Sequence, residues 1–72
     1  MENDNSGKNA PLTNTEHEVL NLMKLGKHNG EIAQEVYLSL STVKFYASSI
    51  IHKLDAKNRT HAVYIASKLD II

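Results

Sequence analysis

The chain has 72 residues, eight basic and eight acidic, so its formal net charge is zero with the four histidines neutral; 42% of the residues are hydrophobic. That apolar share argues against a fully disordered chain, and the absence of cysteine excludes disulfide staples and thiolate metal sites. A core this small seldom supplies more than about 3–5 kcal/mol, so the fold must rest on well-packed helices or on a partner chain, and zero net charge argues at first sight against a nucleic-acid binder.

Residues 1–11 are polar, rich in Asn and closed by Pro11, and read as a flexible tail; residues 12–72 read as one domain. The tail has no apolar h-region, and no apolar run in the chain approaches the roughly 18–20 residues that span a bilayer. No secretory signal and no membrane association are expected, and a cytoplasmic protein is. The first helix is predicted to start just after Thr13, because Thr13-Asn14-Thr15-Glu16 has the pattern of a reciprocal capping box. Val19, Leu20 and Met23 form its apolar stripe, Leu22 and Leu25 lie beside it, and Gly26 suits the left-handed residue that ends a helix.

A second, shorter helix is predicted from Gly30 to Tyr37, capped by His28 or Asn29, with Ile32, Ala33 and Val36 inward. Leu38-Ser39 makes a turn, and Ser39 is the expected N-cap of the third helix, residues 40–54. Its core stripe is Leu40, Val43, Ala47, Ile50, Ile51 and Leu54, at steps of three and four, with Asp55 taking the turn that follows. A fourth helix is predicted after Thr60 as its cap, with Ala62, Val63, Ala66 and Leu69 apolar. No segment alternates with period two, so the expected fold is all-α, four helices and no sheet.

The opposite face of the third helix carries Ser41, Lys44, Phe45, Ser48 and His52, flanked by Ser49 and Lys53, and no acid occurs between Ser39 and Leu54. Small hydroxyls, one cation and one aromatic suit entry into a major groove, where lysine reaches guanine or phosphate and an apolar group touches a thymine methyl. The charge is also uneven. Residues 36–69 carry +4, with Lys44, Lys53, Lys57, Arg59 and Lys68 against Asp55, while residues 12–35 carry −2 and the tail and Asp70 −1 each. Phosphate responds to the local field rather than the total.

Taken in order, Leu12-Thr13-x-x-Glu16, Val19-Leu20, Gly26, Glu31-Ile32-Ala33, Leu38-Ser39-x-x-Thr42-Val43-Lys44, Ile50-x-x-Lys53-Leu54 and Asn58-Arg59-Thr60-x-Ala62-Val63 resemble the LuxR/FixJ/GerE family of helix-turn-helix domains over residues 12–72. The resemblance implies a bacterial, sequence-specific transcription regulator that binds double-stranded DNA. Its second and third helices form the helix-turn-helix, the third enters the major groove, and the fourth makes a two-fold homodimer contact through Ala62, Val63, Ala66 and Leu69. Carried over position by position, base reading falls on Lys44, Phe45 and Ser48. Phosphate contact falls on Thr42, with Ser41, Tyr46, Lys53, Asn58 and Arg59.

The chain departs from the family pattern in places. Tyr46 stands where histidine is common, His28 where a small hydroxyl is, Gly30 where lysine is, and Asp55 where glycine is. These changes imply weaker nonspecific DNA affinity. Receiver and small-molecule-binding domains often precede this family's helix-turn-helix; none lies before Leu12, so no phosphoacceptor site, cofactor or small-molecule ligand is expected. The initial Met1 and the Asn-rich tail favour a stand-alone regulator over an excised C-terminal output domain.

Other chemistries fare worse. Ser49, His52 and Asp55 are spaced at i, i+3 and i+6, but a convex helix surface offers no cleft or oxyanion hole for acyl transfer. His17, His28, His52 and His61 lack the pairing of a zinc site, and no Gly-rich phosphate loop is present. Glu16 and Glu18 read as a first-turn acidic cluster favoured by the helix dipole. Neither an enzyme nor a metal protein is expected. The alternative to DNA binding is an interaction module of the same fold that pairs with a related regulator and binds DNA poorly or not at all; Phe45, Gly30, Tyr46 and the neutral total charge motivate it.

Overall fold

A capping residue stands at the start of every helix in the computed structural model, which describes residues 11–72. The helices are α1 (Asn14–Lys24), α2 (Asn29–Val36), α3 (Leu40–Lys53) and α4 (Arg59–Lys68), with no strand among the described residues. The tail expected over residues 1–11 lies, except for Pro11, outside the described residues. No helix among the described residues is long and apolar enough to cross a membrane.

Helix α1 opens on the expected capping box. The Thr13 hydroxyl accepts the Glu16 N–H at 3.1 Å, and the Glu16 carboxylate accepts the Thr13 N–H at 2.8 Å. Gly26, at φ 82°, closes it. Helix α2 begins one residue earlier than predicted, at Asn29, with His28 as N-cap; the Glu31 carboxylate accepts the His28 N–H at 2.8 Å. It ends at Val36, because Tyr37 turns left-handed at φ 59°. Ser39 caps α3, accepting the Thr42 N–H at 3.2 Å, and Asp55 takes the left-handed turn that follows, at φ 54°.

The fourth helix corrects one expectation. Asn58, not Thr60, is its N-cap: Asn58 is extended, at φ −165°, and its side-chain oxygen accepts the His61 N–H at 2.8 Å. Thr60 already lies inside the first turn.

The core is a single cluster of Val19, Leu20 and Met23 from α1, Ile32 and Ala33 from α2, Val43, Ala47 and Ile50 from α3, and Ala62 and Ala66 from α4. Helix α3 lies centrally, against each of the other three helices. The small side chains Ala47, Ala62 and Ala66 permit close approach of the helices that carry them. Val36, Ile51, Leu54 and Val63 are partly buried against this core, and two stripe residues are exposed. Leu40 opens α3 and is 46% exposed, and Leu69 follows the last residue of α4 and is 65% exposed. Apolar periodicity marks the face but not where along the helix its neighbours stop.

One buried acid ties the start of α1 to the end of α3. Glu16 is 3% exposed. Its Oε1 accepts from Lys53 Nζ at 2.7 Å as well as from Thr13, and its Oε2 accepts from the Ser49 hydroxyl at 2.7 Å. Burial by itself pushes this carboxyl up. Hydrogen bonds from Lys53, the Thr13 N–H and Ser49, together with the Lys53 charge, outweigh it and hold the group below its ordinary 4.5.

Two outcomes follow from these contacts. The unfolded chain takes up the Glu16 proton at a pH where the folded chain still resists it. Stability is therefore full above about pH 4.5 and declines as the pH falls through the depressed folded value. Urea titrations across that range should show the decline in wild type and a shallower one in Glu16→Gln; equal declines would contradict the account. At Tyr37, the left-handed backbone costs a β-carbon-bearing residue about 1–2 kcal/mol, and glycine returns part of that gain as unfolded-state entropy. Because the Tyr37 ring is 93% exposed, Tyr37→Gly loses little packing and should raise the urea midpoint by the equivalent of about 0.5–1 kcal/mol; a lower midpoint would show that the ring supports the fold.

Candidate nucleic-acid interface

Helix α2, the turn at Tyr37, Leu38 and Ser39, and helix α3 form a helix-turn-helix whose second helix is held from behind. Val43, Ala47 and Ile50 face the core, which fixes the opposite face of α3 outward. Ser41, Lys44, Phe45 and Ser48 are all exposed there, with His52 further along. Phe45 is 68% exposed and stands edge-on to the half-buried Tyr46, ring centroids 5.9 Å apart. The candidate base-reading residues Lys44, Phe45 and Ser48 thus share one outward strip.

The N-terminus of α3 gathers hydroxyls. The Ser39 hydroxyl donates to Thr42 Oγ1 at 2.8 Å and lies 3.3 Å from the Ser41 hydroxyl. The first turn carries no acid, so the positive end of the helix dipole is not offset there. The groups suit an anion, since hydroxyls and helix N–H groups both donate to phosphate oxygens.

The residues expected along the DNA backbone divide. Ser41, Thr42 and Tyr46 lie on or beside the outward strip. Lys53 turns inward, to Glu16 at 2.7 Å and the Pro11 carbonyl at 3.2 Å, with its side chain 16% exposed. Asn58 caps α4. Arg59 donates to Asn29 Oδ1 at 2.6 Å and to the Lys27 carbonyl at 2.9 Å. Lys53 and Arg59 are thus engaged in holding helices to one another, and Asn58 in starting α4. Charge and spacing in a sequence mark a cation without saying which way its long side chain turns.

The face expected to meet a second copy divides in the same way. Ala62 and Ala66 are fully enclosed in the protomer's own core, whereas Val63 is half-buried and Leu69 is exposed. Outward on α4, His61 stacks on Tyr64 at 6.4 Å, and Lys68 lies 5.8 Å from the Tyr64 ring centroid.

The sequence reading missed the cross-links made by Glu16 and Arg59. For Glu16 the available signal was the i, i+4 placement of Ser49 and Lys53 at the margin of the α3 core stripe, where side chains meet a neighbouring helix. That contact also commits the Ser49 hydroxyl as a donor to Glu16. Among the described residues no cluster of three or more His, Asp or Glu is placed to hold a metal ion.

Residues 10–71 match the family model described as bacterial regulatory proteins, luxR family. The chain is 53% identical over 58 residues to the transcriptional regulatory protein YvfU of Bacillus subtilis, a match covering 81% of this chain and 29% of that protein. It is 42% identical over 59 residues to the CsgBAC operon transcriptional regulatory protein of Escherichia coli, covering 82% and 27%. It is 38% identical over 71 residues to the transcriptional regulatory protein LiaR of Bacillus subtilis, covering 93% and 34%. The chain thus spans about a third or less of the length of these relatives, all of which are named as transcriptional regulators rather than enzymes.

The inward placement of Lys53 has a measurable consequence. Lys53→Met should leave the Glu16 carboxylate buried without its cation and lose about 3–5 kcal/mol, close to the whole stability of a core this small. Adding Glu16→Gln should restore part of the loss, since the uncompensated charge is then gone. A Lys53→Met variant that unfolds in urea like wild type would refute the inward role.

Proposed function

The chain belongs to the luxR family of bacterial regulatory proteins, and from that premise we propose that it binds double-stranded DNA sequence-specifically, as a homodimer, in the bacterial cytoplasm. The observation that carries the proposal is the outward, acid-free strip of Ser41, Lys44, Phe45 and Ser48 on a helix whose other face is locked into the core. Lys44, Phe45 and Ser48 read base edges in the major groove, and the hydroxyls of Ser41, Thr42 and Tyr46 hold phosphates. Lys53, Asn58 and Arg59 serve the interface through the helices that they hold or cap rather than by touching phosphate.

Two copies meet through the outer side of α4, with Val63 and Leu69 supplying apolar surface and the enclosed Ala62 and Ala66 setting that helix close to the core. Half-sites then lie about one helical turn, roughly 10 bp, apart. Dimerisation doubles a small cationic face, which suits a chain with Lys44 outward and with Lys53 and Arg59 turned inward. The same inward turn gives weight to a second reading, an interaction module that pairs with a related regulator and leaves DNA alone.

Two measurements separate these readings and test the roles. Against bulk duplex DNA at low salt, the DNA-binding reading requires retention that falls steeply as salt rises; no retention favours the interaction module. On an operator selected from random duplexes, Lys44→Ala should weaken binding by about 1–3 kcal/mol and relax the preference at one base pair. An electrophoretic shift identical to wild type would remove Lys44 from the reading surface.

A further inference from the structure

Helices α2 and α4 do not pack against one another, although α2 belongs to the DNA-reading unit and α4 to the proposed dimer contact. Between the α1–α2 turn and the start of α4 lies an open groove of about 520 Å³, lined by Met23, His28, Thr60 and Val63 among others. The Arg59 side chain crosses it. From the first residue of α4, its two terminal nitrogens donate to Asn29 Oδ1 at 2.6 Å and to the Lys27 carbonyl at 2.9 Å, and both bonds are partly buried. Asn29 is the first residue of α2, and Lys27 belongs to the turn before it.

Two physical points mark this contact as selected rather than incidental. A cation at the first position of a helix opposes the helix dipole, and α4 has no acid in its first turn to offset it. Arginine therefore stands at an unfavourable end of its own helix, where its return is the contact across the groove. A planar fork with fixed N–H directions reaches two oxygens on two residues at once, which a lysine ammonium on a flexible stem does not reproduce.

We propose that Arg59 is a positioning residue: a strut that sets the angle between α4 and the α2–α3 unit, so that the dimer holds its two reading helices at one separation and discriminates between half-site spacings. The proposal rests on the DNA-binding reading above. It assigns Arg59 a task distinct from phosphate contact, and the two tasks leave different signatures. A phosphate contact contributes to the salt dependence of binding, and lysine restores it. A strut leaves the salt dependence alone, and lysine fails to restore its effect.

The test uses the full chain and an operator selected from random duplexes, with half-site spacing changed by one and two base pairs. In both Arg59→Ala and Arg59→Lys, the salt slope on bulk duplex should stay at the wild-type value, while discrimination between native and altered spacing should fall by roughly fivefold or more. A salt slope reduced by about one unit in Arg59→Ala and restored in Arg59→Lys would overturn the proposal in favour of phosphate contact, as would unchanged spacing discrimination. A wild-type chain that retains no duplex at low salt removes the DNA-binding reading, and the spacing role with it. Thermal unfolding tests the strut without DNA. The melting shift caused by Asn29→Ala should shrink by about half or more in an Arg59→Ala background, and an undiminished shift overturns the strut itself.

Discussion

The Glu16 carboxylate is the point on which the other contacts converge. It closes the capping box that begins α1, and it accepts from Ser49 and Lys53 near the end of α3. Helices whose starts are 26 residues apart in the chain are thereby fixed in relative rotation, because Ser49 and Lys53 lie one turn apart on α3 and both must face the same acid. Rotation of α3 about its axis is what decides which residues point outward. A buried ion pair is weak evidence for stability, since desolvation offsets much of its attraction. Its value here is orientation: apolar contacts from Val43, Ala47 and Ile50 tolerate small rotations, and two hydrogen bonds from α3 to one carboxylate do not.

This arrangement accounts for what could be read from the residues and what could not. Caps and stripes are local features, and they placed α1, α2 and α3 within a residue or so at nearly every end. The Thr13 and Ser39 caps and the left-handed Gly26 and Asp55 are chemistry of adjacent residues. That α4 is capped by Asn58 rather than Thr60 is not legible, because both have good capping side chains two residues apart and pattern alone does not rank them. The outward strip of α3 was legible because it is the complement of the core stripe. The directions of Lys53 and Arg59 were not, because a long cationic side chain reaches partners 30 or more residues away that periodicity does not register. The inward partners of Glu16 were hidden for the same reason, although its place in the capping box and first turn was legible: a first-turn acid satisfies the dipole rule whether it faces solvent or, as here, the interior.

Charge shows the same limit of local reading. The zero total conceals a positive second half, and the positive half in turn contains cations with different duties. Lys53 is neutralised by Glu16, and Arg59 is held between α4 and the α1–α2 turn. Lys44, Lys57 and Lys68 remain exposed. The field at the proposed DNA face is therefore weaker than the segment charge suggests, and hydroxyl donors at the α3 N-terminus carry a larger share of any phosphate contact. Neutral hydrogen bonds to phosphate contribute less to counterion release than ammonium groups do. A chain built this way depends more on geometry than on charge for its affinity, which gives the contacts that set helix angles a functional weight.

Helix termination sets a further constraint. Glycine ends only α1 among the described helices; Tyr37, Asp55 and Asp70 adopt left-handed φ values of 59°, 54° and 62° after α2, α3 and α4. Aspartate tolerates that region through local hydrogen bonding, whereas tyrosine meets the full steric penalty. Against a core of ten buried side chains, four of them alanine, such strain takes a substantial part of a stability that in cores of this size seldom exceeds about 3–5 kcal/mol. Half-buried Val63, Ile71 and Ile72 and exposed Leu69 meanwhile leave apolar surface around α4. A second copy laid on that surface would add burial where a single protomer has least to spare, at about 25 cal/mol per Å² of apolar area covered. Folding and the proposed pairing are then linked by mass action, so the domain gains stability under the same conditions that assemble its two reading helices.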